Sequence, residues 1–236
     1  MAGDLTQLKT RLVEASRILE QEDLFDTFGH VSVRLPEGDR ILITSPMAPG
    51  RITPEDLMVL DLQGKKLAGE GEPVLEPWIH TSIYRLRQDV QAVVHAHPLL
   101  PVAFTLADEP LKPMRLGDGK LSEGIPTYPG PGEDSFIVTE ELGMGMARAL
   151  GDRPALLLRG HGIVAVGDTI ETASLMAIRL NHVASHQLLA MVIRGARRLM
   201  QQESLATPKI LDTKKTRWRD WSRVWEYYRM KLKKGA

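Results

Sequence analysis

Residues 90–97 read Val-Gln-Ala-Val-Val-His-Ala-His, an apolar, β-branched run that ends on two histidines one residue apart. Side chains alternate faces along a strand, so His95 and His97 project the same way. Upstream, Ile79, Ile83 and Leu86 share one face of a helix from about Pro77 to Arg87, which feeds directly into this strand. Short β-like runs precede it at Val31 to Leu35, Arg40 to Thr44 and Leu57 to Leu62, the last closed by a Gln63-Gly64 turn. Thr53-Pro54-Glu55-Asp56 reads as an N-cap with Pro at the first helical position. Asp4 and Gln7 stand in capping-box spacing before Leu8, Leu12, Ala15 and Leu19, which predicts a helix ending near Glu22.

Downstream, residues 107–134 hold five Gly and five Pro and read as a long irregular loop. Thr139 caps a helix to about Leu150, Ala155 to Val166 is a strand pair interrupted by Gly160 and Gly162, and a long helix runs from about Glu171 to Arg194. Trp218, Trp221, Trp225 and Tyr228 follow at spacings of three, four and three, one stripe of a basic amphipathic helix. Helices mixed with short strands, and no linker rich in Pro, Gly or Ser, predict one α/β layered domain with a mixed or antiparallel sheet. The division expected is a body over 1–208 and a tail over 209–236 that docks on the body or on a neighbouring subunit.

The 236 residues are 43% hydrophobic and 25% charged, the composition of a globular protein and not of a disordered or fibrous one. Thirty Lys+Arg balance thirty Asp+Glu, so no global field draws the chain to nucleic acid or to an anionic membrane. The balance is uneven in sequence: residues 209–236 carry ten basic and three acidic side chains, net +7, which leaves −7 on the first 208. Absence of cysteine excludes disulfides, thiolate zinc sites and cysteine nucleophiles. No stretch reaches the roughly 18 apolar residues of a membrane span, and Met-Ala-Gly-Asp-Leu-Thr-Gln has no leader-like pattern, so a cytoplasmic location is expected.

The chemistry is concentrated in seven histidines, at positions 30, 80, 95, 97, 161, 182 and 186. His95 and His97 have the geometry of a metal chelate, and His161, flanked by Gly160 and Gly162, is the best third ligand because missing side chains permit close approach. Three imidazoles with open positions describe a catalytic metal site. The competing reading is a histidine pair bonded to sheet backbone, with His161 a turn residue. Glu76, just before Pro77, is either a simple N-cap or a carboxylate of the same site. His182 and His186 share a helix face with Leu175, Ile178 and Leu189, and packing accounts for them; His80, one turn after Glu76, reads as a support for a neighbour.

The segments Gly29-His-Val-Ser-Val-Arg34, Ile43-Thr-Ser, Glu76-x3-His80, Ala92-Val-Val-His95-Ala-His97 and Leu158-Arg-Gly-His161-Gly162 together resemble, in order and spacing, the pattern of the class II aldolase/adducin family over about residues 5–195. The resemblance implies a single three-layer α/β domain with a central, mainly antiparallel sheet flanked by helices. It implies one divalent metal ion per subunit on His95, His97 and His161, with Glu76 as the catalytic acid/base. Residues 1–208 are then a class II aldolase-like catalytic domain, in a homo-oligomer of the tetrameric kind common in the family.

Aldolases of that family hold a substrate phosphate with an Asn, a Thr-Gly pair and a Ser-Ser pair. Here those positions read His30, about Pro46-Met47, and Val74-Leu75. Val and Leu offer no hydroxyl, and a phosphate buried against them would be unpaired at a cost of several kcal/mol. The Gly-His-Val-Ser-x-Arg variant instead resembles the branch of hydroxylated aromatic or pyridine dicarboxylate decarboxylases. The expected ligand is a small-molecule carboxylate, with His30, Ser32 and Arg34 as substrate-binding candidates; Ser32 also suits the turn, and Arg34 suits bidentate pairing with a carboxylate. Arg115, Lys120 and Tyr128 lie in the Gly/Pro loop, where closure over substrate and surface solvation are equally good accounts. The metal expected is zinc or manganese, with cobalt or iron also suited to the donors. The same metal and Glu76 serve aldol cleavage, so a class II aldolase acting on a hydroxy-keto or sugar-phosphate substrate is the alternative; a non-catalytic adducin-like module is disfavoured by the retained histidines.

Overall fold

The apolar run at 90–97 is the centre of the sheet. In the computed structural model, which describes residues 2–113, 121, 124–130, 136–193 and 221–234, the helices are α1 (Ala2–Gln21), α2 (Pro77–Leu86), α3 (Leu99–Leu106), α4 (Glu140–Leu150), α5 (Ile170–Val192) and α6 (Trp221–Lys234). The strands are β1 (His30–Arg34), β2 (Arg40–Ile43), β3 (Met58–Asp61), β4 (Lys66–Ala68), β5 (Ala92–Ala96), β6 (Thr127–Tyr128), β7 (Ala155–Leu158) and β8 (Gly162–Gly167). They form one sheet in the order β4-β3-β2-β1-β5-β8-β7-β6. Neighbours are antiparallel except β6 and β7, which are parallel. The expected three-layer, mainly antiparallel mixed sheet flanked by helices is therefore the observed architecture.

Every residue of β5 is buried because both faces of the strand are covered. Ala92, Val94 and Ala96 join Val31, Val33, Ile163 and Ala165 in a core roofed by α1, α3 and α5. Val93, Val164 and Val166 face the other way, with Ile79 and Ile83 of α2 and Met146 and Leu150 of α4. Alternation from Val93 puts His95 on this α2 side, and alternation from Val31 and Val33 puts His30, Ser32 and Arg34 there too. The fold thereby lays the polar residues of two adjacent strands under one helix.

Several details depart from the sequence reading. α1 begins at Ala2, so Asp4 lies inside the helix and not at its cap. α3 was not anticipated: Pro101 sits in its first turn, where an N–H has no intrahelical partner to lose. The Gly/Pro stretch contributes the two-residue strand β6, in which Tyr128 pairs with Leu158. Arg115, Lys120, Arg194 and Trp218 lie outside the described residues.

α6 lies against α1 and α5, with Trp225 and Tyr228 buried in the same core. Arg229 reaches Glu14 at 2.6 Å, and Lys231 pairs with Glu22. These half-exposed pairs contribute at most about 1 kcal/mol each, so burial of the two aromatic rings is the larger attachment. No helix among the described residues is long and apolar enough to cross a membrane.

Candidate metal centre

Local backbone features deliver the site. Gly29 adopts φ +113°, and a Cβ there would stand 2.4 Å from the Phe25 ring, so only glycine turns the chain into β1 at His30. Register then sets His30 directly across from His95. The β7–β8 turn carries His161, and its approach depends on Gly162: an added Cβ would meet the Ala96 carbonyl oxygen at 2.5 Å and His97 Cδ2 at 2.9 Å.

The structure brings His95, His97 and His161 together, with one ring nitrogen from each within 4.8 Å of the others. His95 Nε2 and His97 Nε2 are 2.9 Å apart. Glu76 Oε2 lies 3.3 Å from His161 Nε2 and 3.7 Å from His95 Nε2. Glu76 occupies the N-cap position of α2 but makes no side-chain cap; its Oε1 instead accepts the Ile137 N–H at 2.6 Å. One carboxylate oxygen is thus anchored and the other faces the imidazoles.

Tautomer and charge state follow from the surroundings. His95 Nδ1 is 3.0 Å from the Ile163 carbonyl oxygen, which can only accept, so the proton sits on Nδ1 and the Nε2 lone pair points inward. Burial, then the neighbouring imidazoles, holds His95 well below the ordinary histidine range, and burial followed by His161 lowers His97. Three imidazoles with converging ring nitrogens, beside a carboxylate, are a donor group that could hold a metal ion. The 2.9 Å approach of His97 Nε2 to His95 Nε2 turns the His97 ring toward the cluster by that nitrogen. A second overlapping set, His30, Glu76 and His95, also falls within 4.8 Å.

The remaining expected residues fare differently. His30 is 8% exposed at the edge of the cluster, its ring centroid 4.9 Å from that of His95. Ser32 lies within β1 and not in a turn; it is fully buried, and its hydroxyl bonds His80 and Tyr84. Arg34 is corrected outright. Four residues along β1, about 13 Å from His30, its guanidinium donates to the carbonyls of Tyr84 (2.5 Å), Gly38 (2.7 Å), Arg87 (3.3 Å) and Val90 (3.4 Å). It holds the C-terminal end of α2 and does not reach the cluster. His80 is wholly buried between His30 and Ser32, a supporting place. His186 Nδ1 bonds the His182 carbonyl within α5, away from the site.

Reading the sequence alone missed Tyr84, the Ile137 N–H and the Ile163 carbonyl. Tyr84 had a signal: Glu76, His80 and Tyr84 recur every four residues on one helical face. The two backbone groups had none. Val74 packs in the apolar cluster with Ile41 and Met58. Leu75 is 68% exposed and Met47 42% exposed, so none of the three offers a hydroxyl.

The sequence model of the family described as class II aldolase and adducin N-terminal domain matches residues 10–188. The chain is 33% identical over 212 residues to 3,4-dihydroxyphthalate decarboxylase of Arthrobacter keyseri, covering 81% of this chain and 82% of that protein. It is 31% identical over 223 residues to the protein of the same description from Terrabacter sp. (strain DBF63), covering 87% and 90%. Among solved structures, L-fuculose-1-phosphate aldolase of Thermus thermophilus superposes with a TM-score of 0.70 at 30% identity, over 81% of this chain and 97% of that one.

Proposed function

This chain belongs to the class II aldolase and adducin family, and from that premise we propose that it is a metal-dependent carbon–carbon lyase that decarboxylates an unphosphorylated, hydroxylated aromatic or heteroaromatic carboxylate. The observation that carries the reading is the cluster of His95, His97, His161 and Glu76; the sequence adds that Val74 and Leu75 stand before Glu76, where the aldolase pattern has hydroxyl-bearing residues. The dihydroxyphthalate decarboxylase relatives support it. His95, His97 and His161 would hold a divalent ion, zinc or manganese, or cobalt or iron, which would supply Lewis-acid polarisation of the substrate's oxygens.

The protein's own groups do the rest. Glu76 is the general acid: with Oε1 fixed by the Ile137 N–H, Oε2 is aimed at the cluster and can hold a proton there. As CO₂ leaves, the electron pair of the broken bond stays on the ring carbon and takes that proton. Burial keeps bulk water from this step, since Glu76 is 4% exposed and His95 fully covered. We place the enzyme in the cytoplasm as a homo-oligomer; the exposed apolar side chains Phe28, Leu75, Leu99 and Phe136 support burial against another copy.

The test is CO₂ release from a panel of hydroxylated benzene and pyridine dicarboxylates by the zinc- or manganese-loaded protein. Release from at least one member is expected, with Glu76→Gln retaining metal and losing at least about 100-fold in kcat. The aldolase likeness makes aldol cleavage the second reading: aldehyde released from a hydroxy-keto substrate, with no CO₂ from the panel, transfers the assignment to it.

A further inference from the structure

Four buried side chains on the α2 side of the sheet form one hydrogen-bonded line that ends at the cluster. The Tyr84 hydroxyl is 2.8 Å from Ser32 Oγ, Ser32 Oγ is 2.7 Å from His80 Nδ1, and His80 Nε2 is 2.6 Å from His30 Nδ1. Tyr84, Ser32 and His80 have no exposed surface. Imidazole nitrogens can donate or accept, so the line has two possible directions. Its far end decides between them.

A phenol has one proton to give, and among the described residues the acceptor within reach of the Tyr84 hydroxyl is Ser32 Oγ. Ser32 therefore receives from Tyr84 and gives its own proton to His80 Nδ1. That nitrogen must be bare, so His80 is protonated at Nε2 and donates to His30 Nδ1. His30 in turn carries its proton on Nε2. The opposite direction would leave the tyrosine proton buried without an acceptor, an arrangement that native interiors avoid. Burial pushes His80 down to about 3, so that ring does not join the line as an imidazolium.

With Nδ1 engaged by His80, the nitrogen His30 has left for Glu76 and His95 is Nε2. We infer that Tyr84, Ser32 and His80 are positioning residues that lock His30 in its Nε2–H tautomer, so that His30 meets the cluster as a neutral donor to an anionic substrate oxygen and not as a metal ligand. Of the two overlapping donor sets, this selects His95, His97 and His161, whose His95 Nε2 is bare, over the set that needs a lone pair from His30. It also sets selectivity: a donor beside the metal centre accepts a carboxylate or phenolate oxygen and rejects an ammonium group. The carboxylate as acceptor rests on the proposed function; the tautomer does not.

Protein labelled with ¹⁵N-histidine, metal-free and zinc-loaded, reports the tautomers directly in long-range ¹H–¹⁵N correlation spectra, with His30→Gln and His80→Gln assigning the two rings. Both should show a protonated Nε2 and a bare Nδ1, and the His30 Nε2 proton should survive zinc loading. A protonated Nδ1 on His30, or loss of its Nε2 proton to zinc, overturns the inference. In Tyr84→Phe and Ser32→Ala the single tautomer should give way to a mixture. KM for a dicarboxylate of the panel should rise about tenfold, with kcat and zinc affinity changed much less; an unchanged tautomer and KM in both folded variants also overturns it. If the unmodified protein turns over no dicarboxylate, the functional reading fails, while the wild-type spectrum still decides the tautomer.

Discussion

His80 shows how one buried side chain couples the site to stability. Desolvation pushes its folded-state value down to about 3, whereas an unfolded chain protonates histidine near 6.5. Between these values the unfolded chain binds a proton that the folded one refuses. The contribution of His80 is therefore complete above about pH 6.5 and is lost as pH falls toward 3, by up to about 1.4 kcal/mol per pH unit. Urea unfolding of the metal-free protein should show stability falling with acidification below neutrality, and His80→Gln should flatten that slope by about one proton; an unchanged slope would contradict the buried neutral ring. The same scale shows where residue-level reading succeeds and where it stops. The shared direction of His95 and His97 was legible because strand alternation fixes it locally; that of Glu76 was not, because the Ile137 N–H that anchors it comes from 61 residues away. Arg34 was not, because alternation gives its face correctly but cannot reveal that the end of α2 and its surroundings supply carbonyls for its guanidinium.

At the scale of elements, the centre exists because the β7–β8 turn meets the end of β5 without a side chain between them. Gly162→Ala places a methyl carbon 2.5 Å from the Ala96 oxygen and 2.9 Å from His97 Cδ2, a clash that main chain cannot relieve cheaply. The variant should lose about 1–3 kcal/mol of stability and should bind zinc at least about tenfold more weakly, since relief of the clash moves His97 or His161. Zinc affinity equal to that of the unmodified protein, by competitive titration, would show that the turn does not set the ligand geometry. Most elements could be read from period and caps: α1, α2, α4 and α5, and the strands β1, β2, β3, β5, β7 and β8, arise from patterns in the chain. α3 was hidden by Pro101 inside an apolar run, β4 by its three exposed residues, and β6 by its two-residue length within a Gly/Pro stretch. Each of these is stabilised by what it pairs with or packs on and not by its own sequence.

Across the whole molecule, the donors arrive from three separate regions: Glu76 at the head of α2, His95 and His97 at the end of β5, and His161 in the turn between β7 and β8. The sheet order that sets β5 between β1 and β8 makes them neighbours; the sequence did not convey that order, and the family resemblance implied only a mainly antiparallel sheet flanked by helices. The basic tail helix closes the far side of the same body, where Arg229 and Lys231 meet Glu14 and Glu22 of the acidic part. Folding thus gathers a candidate ligand set that no single segment contains. The measurement that bears most directly on this is zinc binding, by equilibrium titration, to the metal-free protein and to single variants of its histidines. The account predicts one zinc ion per chain, at least about tenfold weaker binding in each of His95→Ala, His97→Ala and His161→Ala, and near-normal binding in His30→Gln. Full-strength binding without His97 or His161, together with its loss in His30→Gln, would contradict it.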